Sequence, residues 1–583
     1  MNPATPSAPA TPQNNAAALE ELKQLFVGAS LPKLDKLKEA YLALQEKRLF
    51  QLIGTPPPKV ASNEYLPLQA QPEAKLTEAQ LAELKKWFKE QPEFREGFLL
   101  ALAPGVDDYP RAAQVALELR AKYPKQMTEM KNLVIAFAVV WDDPRPVIWE
   151  HSGCVPELLK TNPTPQPPVE YFGWYVTNAA RMAPWFKTTP WRLQKYLAAD
   201  CLPTSERDWV LKRYPQFNPL IGQDYSKIVY DFDKLKDGIG KKGNNPYTLE
   251  NLIKFGGVCR DQAFYARSIC RAFGMPAYMA TGEANTGGGH GWVGWVVNEG
   301  TGYKLLSHGR YVYDKYFTAK IIEPQSGEFI HDYLVGIECK ALSNEAGFND
   351  AEVYYRVWQE LGTNLDAGKR TDLLIAALQK NALHRPAWLA IGEATASGAL
   401  PRASAEKQWA YLSANYKEFP DFTFSMATIF SSMYKTAQEK YAFYDAAGKV
   451  FKDLKRQDLV AKLLLDQIKM CQTENRKDLA LQVALAGTTD CAGEGEHGAT
   501  LAQIAANLSI ELKQPQLGQK AIMASLRGME RVRAGLINPN WVTVNVALLE
   551  TYRALGDTKG ATNIQSEIDK ARNEMATPKN NVK

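Results

Sequence analysis

Cysteine is scarce. The 583 residues hold seven, at positions 154, 201, 259, 270, 339, 471 and 491, and none forms a CxxC pair. That removes zinc-ribbon and thioredoxin-type readings, and an odd count leaves at least one thiol unpaired within the chain. Charge of one sign is lacking as well: 69 Lys+Arg stand against 64 Asp+Glu, a net +5. The basic runs are pairs such as Lys85-Lys86 and Lys241-Lys242, which does not make the concentrated basic face of a nucleic-acid binder. No run of 18 apolar residues occurs, so no transmembrane segment is expected. The opening MNPATPSAPATPQNN has neither the basic start nor the apolar core of a secretory signal. Residues 1–15 read as a disordered tail, and also as the stretch behind a removed signal peptide, so a cytoplasmic protein and a trimmed exported one both fit. No histidine–carboxylate spacing suggests a metal. The run Gly287-Gly288-Gly289 lacks the strand–loop–helix setting of a phosphate loop, and no cofactor is expected.

What is present is apolar and long. Hydrophobic residues make up 45% and charged residues 23%, enough to bury real cores in three or four domains. Residues 16–165 form a helical N-terminal region: Leu19, Leu22, Leu25 and Phe26 share one helical face, and Leu34, Leu37, Tyr41 and Leu44 repeat it. A proline-rich linker near 54–75 opens with Gly54-Thr55-Pro56-Pro57-Pro58. Thr77 with Gln80 predicts a capping box, and helices are predicted over 112–123 and 126–141. From 166 to 340 aromatics, prolines and Gly-rich turns increase and strands alternate, with short helices predicted over 190–199 and 205–214, the second capped by Ser205 with Asp208 in its first turn. Residues 348–576 are helical again. Pro386 and Pro420 sit in loosely similar segments 34 residues apart, the tetratricopeptide period, and an α-solenoid-like array follows from the helix-turn-helix rhythm. Residues 577–583 read as a second disordered tail.

Chemistry concentrates in two segments. Phe255-Gly256-Gly257-Val258-Cys259-Arg260-Asp261 gives a tight turn, and Ala263, Tyr265, Ala266, Ile269, Cys270 and Phe273 then trace an apolar helical face. Cys259 therefore starts a buried helix, where free N–H groups and the helix dipole favour a thiolate. Asp261, in the same turn, is expected to cap backbone N–H groups, and Cys270 to be a structural core thiol. The second segment runs Gly287 to Gly289, then His290-Gly291-Trp292-Val293-Gly294-Trp295-Val296-Val297. It predicts a strand with His290, Trp292, Gly294 and Val296 on one side, and Trp292 and Trp295 read as core aromatics. A histidine opening such a strand can face a helix start across a cleft, and a thiol with an imidazole is the usual pair for nucleophilic acyl transfer.

GGVCRDQA, a helix ending in GMPA, and then GHGWVGWVV resemble the transglutaminase-like superfamily with its papain-like core. Histidine follows cysteine by 31 residues, 259 to 290, and Pro190-Trp191-Arg192-Leu193 and Glu206-Arg207-Asp208-Trp209 are similar to the lead-in of some bacterial members. The resemblance covers roughly 170–335. It implies an α+β fold class: a central transglutaminase-like domain at 166–340 flanked by mainly α-helical regions. It also implies Cys259 as nucleophile and His290 as base, acting on protein or peptide amides through a thioester. The family places an acid on the strand after the histidine. Here that strand reads Tyr303-Lys304-Leu305-Leu306-Ser307-His308, so Ser307 or His308 falls where the acid belongs, and Asp314 is the nearest carboxylate. The oxyanion hole would use the Cys259 backbone N–H with Asn245 or Tyr247. Three functions stay open: an enzyme hydrolysing or transferring acyl groups of a protein or peptide substrate, a scaffold without turnover that holds a protein partner on its C-terminal helical array, and a structural component of a larger assembly.

Overall fold

The structure is a computed structural model that describes residues 16–28, 30–51, 74–143, 166–283, 289–310, 320–492, 495–533 and 536–576. Both predicted tails and all but the end of the proline-rich linker lie outside these residues. The chain separates into two compact units, one of residues up to 282 together with 289–390, the other from 391 onward.

Among the described residues, the first unit opens with the helices α1 (Ala16–Gln24), α2 (Leu34–Gln51), α3 (Glu78–Glu90), α4 (Pro92–Ala101), α5 (Tyr109–Lys122) and α6 (Lys131–Trp141). The expected capping box starts α3: Gln80 N–H donates to Thr77 Oγ1 at 3.2 Å and Thr77 N–H to Gln80 Oε1 at 2.9 Å. Next come α7 (Pro168–Thr177), α8 (Trp191–Ala198), α9 (Thr204–Arg213), α10 (Phe232–Asp237), α11 (Leu249–Phe255) and α12 (Cys259–Ala272). The start of α9 differs from the sequence reading. Pro203, with its ring-fixed φ of −55°, leads directly into Thr204. The Thr204 N–H goes to Gln166 Oε1 at 2.9 Å. Ser205 is inside the helix, and the Asp208 carboxylate instead accepts from Trp174 Nε1 at 2.8 Å.

Five strands, β1 (Ala277–Glu283), β2 (Gly289–Asn298), β3 (Tyr303–His308), β4 (Lys320–Ile322) and β5 (Phe329–His331), form one antiparallel sheet in the order β3-β2-β1-β4-β5. β2 pairs with β3 from Val293↔His308 to Asn298↔Tyr303. Alternation gives the sheet two apolar faces. On one, Trp292, Val296, Tyr278 and Ala280 pack with Leu193 and Tyr196 of α8 and with Val335 and Cys339 of α13 (Tyr333–Ala341). On the other, Trp295 donates from Nε1 to Pro219 O at 2.8 Å, beside the 3-10 turn Ile221–Lys227. Two further helices, α14 (Glu345–Leu361) and α15 (Ala367–Lys380), and the first turns of α16 (Arg385–Ala396) complete the unit. An α-rich frame around a small α+β centre is therefore the architecture.

Several buried charges in this unit gather into ion-pair clusters. Asp200 meets Arg207 and Arg267 at 3.1 Å each and Arg271 at 3.8 Å, all four side chains being essentially inaccessible. Burial alone would raise the Asp200 carboxyl; the three guanidiniums outweigh it and hold it below the usual range. Arg207 also lies over the Tyr171 and Tyr175 rings. Glu352 of α14 accepts from Arg356 Nε at 2.7 Å and pairs with His384 Nε2 at 2.9 Å. The two-pronged Arg48–Glu360 pair, at 2.5 and 2.7 Å, joins α2 to α14.

The second unit is a succession of helices: α17 (Arg402–Asn415), α18 (Pro420–Phe430), α19 (Ala437–Asp453), α20 (Gln457–Thr473), α21 (Lys477–Asp490), α22 (Gly495–Glu511), α23 (Pro515–Arg527), α24 (Pro539–Ala554) and α25 (Thr558–Ala576), with a small antiparallel pair of strands, Val532–Arg533 and Leu536–Ile537, between α23 and α24. Pro386 and Pro420 occupy the first turns of α16 and α18, where a missing N–H costs nothing. The leading helices of successive pairs begin at 402, 437, 477 and 515, so the spacing departs from 34 residues and the repeat fades from the sequence. Small residues on α22 (Ala499, Ala502, Ala506) let Ile522 and Leu548 pack closely. Three of the turns close with a left-handed residue that is not glycine: Lys455, Asn475 and Lys513, each at φ 57°. At each, the next N–H reaches back five residues, as in Gln514 N to Ser509 O at 2.7 Å. No helix among the described residues is long and apolar enough to cross a membrane.

Two outcomes follow. Burial holds the His384 imidazole below its ordinary value, and geometry agrees: Ala387 N–H donates to Nδ1 at 3.3 Å, leaving the proton on Nε2, facing Glu352. A base with a lowered folded pKa contributes stability that is present above its unfolded value of about 6.5 and lost as pH falls through the folded one. Urea unfolding should therefore need more denaturant at pH 7.5 than at 5.5, and His384→Gln should flatten that difference; an unchanged slope would assign it to another group. In the second unit, Lys513→Gly relieves about 1–2 kcal/mol of left-handed strain against about 0.5–1 kcal/mol of added chain entropy. A small rise in the thermal midpoint is expected, and a fall would show that the lysine side chain contributes more than its backbone costs.

Candidate active site

The cysteine helix begins where two backbones touch. Gly256 has φ +84°, and a Cβ there would lie 2.4 Å from Val229 O; one on Gly257 would lie 2.5 Å from Asp261 Cβ. Side chains are excluded at both positions, and the chain pairs with 229–231 instead: Gly257 N–H donates to Val229 O at 3.0 Å and Asp231 N–H to Gly257 O at 2.9 Å. This delivers Cys259 as the first residue of α12. Its N–H is among the four at a helix start with no partner inside the helix.

Asp261 fixes that start. Its fully buried carboxylate accepts from Val258 N–H at 2.8 Å, from the Tyr247 hydroxyl at 2.8 Å and from Lys234 Nζ at 3.1–3.2 Å. The capping role expected of it is therefore observed, together with a buried ion pair. Lys234, on α10, is also nearly inaccessible, although its place in a polar stretch gave no hint of burial. Both side chains named for the oxyanion hole are engaged nearby: the Tyr247 hydroxyl on Asp261, and Asn245 Nδ2 on Lys242 O at 2.8 Å.

Of the six described cysteines, Cys259 is half-buried and the other five are buried. Cys270 is inaccessible and burial pushes its thiol far up, which fits a structural role. Trp292 and Trp295 are core residues, each 1% exposed.

His290 stands near the start of β2, 6% exposed. Its ring lies beside that of Trp292, centroids 5.9 Å apart, and its Nε2 is 2.6 Å from Gly309 O. A carbonyl can only accept, so Nε2 carries the hydrogen, and in the neutral ring Nδ1 holds the lone pair. The residue after His290 touches the cysteine helix: a Cβ on Gly291 would lie 3.4 Å from Arg260 Cα and 3.5 Å from Arg260 N. The backbone thus brings Cys259 and His290 to either side of one contact, each a single residue before a member of it.

The three candidates for the third member separate. Ser307 is exposed and pairs with Gly294, four residues, about 13 Å, along β2 from His290. His308 is held elsewhere, with Nε2 2.8 Å from Ser226 Oγ and its ring edge-on to Tyr225; burial lowers its pKa. Asp314 lies outside the described residues. The group seen on Nε2 of His290 is the Gly309 carbonyl, which no side-chain motif could have announced.

No family model matches the chain, and no curated protein matches it. Among solved structures, the crystal structure of BtubC (BKLC) from P. vanneervenii is similar at a TM-score of 0.22 and 13% identity, spanning 41% of this chain and 95% of that one. So slight a likeness carries no argument about fold or function.

Removing the carboxylate charge in Asp261→Asn leaves the Lys234 ammonium buried without its counter-charge and should cost about 3–5 kcal/mol in urea unfolding. Adding Lys234→Met should recover part of that loss. Strictly additive effects would mean that the two groups do not stabilise each other.

Proposed function

We propose that this chain is a transglutaminase-like cysteine enzyme acting on protein or peptide amide bonds. The observation that carries the reading is the half-buried thiol on the first residue of a helix whose start abuts β2 beside His290. In this reading Nδ1 of His290 takes the thiol proton and Cys259 Sγ adds to the amide carbonyl. The Cys259 N–H, directed out of the helix start, stabilises the oxyanion. The imidazolium then protonates the leaving amine as the C–N bond breaks, giving a thioester. Water resolving the thioester makes a protease, and an amine makes a cross-linker.

A second reading has its own support. β3, Tyr303–His308, contains no carboxylate, although this is the strand on which the resemblance expects the acid that orients the imidazole. The domain would then be a scaffold, with a peptide or protein partner held by the helical array of the second unit. The even charge balance gives neither reading a nucleic-acid partner.

Iodoacetamide distinguishes them. A free cysteine is only a few per cent thiolate at pH 7, so the enzyme predicts labelling of Cys259 about tenfold or more faster than that, and a return to the slow rate in His290→Ala. Cys259→Ser should abolish turnover of a denatured-protein substrate while moving stability by less than about 1 kcal/mol. Slow labelling that ignores His290 favours the scaffold; turnover surviving in Cys259→Ser moves the nucleophile elsewhere.

A further inference from the structure

We infer that Tyr225 is the residue that positions the imidazole against the cysteine helix; this rests on reading Cys259 and His290 as the reacting pair. Tyr225 lies in the 3-10 turn Ile221–Lys227 and is 6% exposed. Its hydroxyl donates to Gly291 O at 2.9 Å. Its ring fills the space that a side chain on Gly309 would need: a Cβ there would lie 2.5–2.8 Å from three of its ring carbons. Gly309 has φ +91°, a turn that a side chain rarely adopts, and that turn presents its carbonyl to His290 Nε2 at 2.6 Å.

One side chain therefore touches both pieces of backbone that locate His290. The first is Gly291, the residue after it, which rests on the Arg260 backbone next to Cys259. The second is Gly309, whose carbonyl holds the far ring nitrogen and sets which nitrogen carries the proton. With no side chain at either glycine, displacement of Tyr225 passes straight into the imidazole. The turn carrying Tyr225 is itself tied to β3, since Ser226 Oγ is 2.8 Å from His308 Nε2 and the His308 ring sits edge-on to Tyr225. That gives His308 a supporting place one step from the chemistry. Tyr225 touches no reacting atom, so it is a positioning residue.

The two contacts can be removed separately. Tyr225→Phe keeps the ring under Gly309 and deletes the bond to Gly291 O; Tyr225→Leu deletes both; Gly309→Ala pushes the carbonyl away from the opposite side. In the full chain, iodoacetamide labelling of Cys259 and nitrogen-15 NMR of the His290 tautomer are the readouts, with a thermal melt to establish folding. Tyr225→Phe should slow labelling about fivefold, the share of one ordinary hydrogen bond, with the Nε2–H tautomer kept. Tyr225→Leu and Gly309→Ala should slow it by up to about a hundredfold, as a misplaced catalytic group does, and should give a mixed tautomer. Folded variants that label at the wild-type rate with an unchanged tautomer overturn the inference. If His290→Ala also labels like wild type, the pairing itself has failed. If His290→Ala is slow while the Tyr225 and Gly309 variants are not, only the positioning role has failed.

Discussion

The buried carboxylate of Asp261 is the constraint on which the local structure turns. A helix start leaves its first N–H groups without partners, and in a buried setting each unsatisfied group costs on the order of 1–3 kcal/mol. Asp261 satisfies the Val258 N–H from within the first turn and reaches two other elements at once, α10 through Lys234 and the segment before α11 through Tyr247. A carboxylate with a cation and two hydrogen-bond donors is one of the few forms in which such a charge is tolerated out of water. The consequence for Cys259 is mechanical. Its helix start cannot slide along the sheet without breaking an ion pair that has no solvent to replace it.

The same economy recurs at larger scale. Asp200 serves Arg207, Arg267 and Arg271, and so ties α9 to two successive turns of α12. Glu352 gathers Arg356 and His384, with Arg192 of α8 at 3.8 Å. Burial would raise the Glu352 carboxyl, but Arg356, Arg192 and His384 together hold it well below the usual range. Each hub is a single acid surrounded by bases from different elements, so removing the acid strands several cations, whereas removing one base leaves the rest paired. The N-terminal helices join this frame by the Arg48–Glu360 fork and by Gln325, whose Nε2 reaches Ala101 O and Asp107. Such directional contacts fix register where apolar packing alone would tolerate small shifts.

What could be read in advance follows the range of the interaction. The start of α12, its apolar face, the cap by Asp261 and the alternation of β2 are local, set by residues within a few positions, and all were legible. So was the Thr77 capping box. Ser205 misled because the competing partner of the helix start, Gln166, lies 38 residues away and a proline had already fixed the entry angle. Nothing in the local sequence announced the burial of Lys234, because its counter-charge is 27 residues distant. The array after 391 showed its rhythm through two prolines but hid its later turns, since Lys455, Asn475 and Lys513 adopt a conformation usually marked by glycine. The partner of His290 was out of reach for a different reason: a main-chain carbonyl exists at every residue, so it leaves no compositional trace.

That carbonyl alters what the imidazole can do. A carboxylate on the far nitrogen would both fix the tautomer and lend negative charge to a forming imidazolium. The Gly309 carbonyl fixes the tautomer equally well but brings only a dipole. If Cys259 and His290 react as a pair, the N–H groups at the start of α12 supply about half a unit of positive charge beside the sulfur. The rigidity of that helix start then matters directly, because displacement of those N–H groups takes that partial charge away from the sulfur. On this view the Asp261–Lys234 pair and the Gly309 carbonyl are two parts of one arrangement: the first holds the dipole that favours the thiolate, and the second holds the ring that takes its proton.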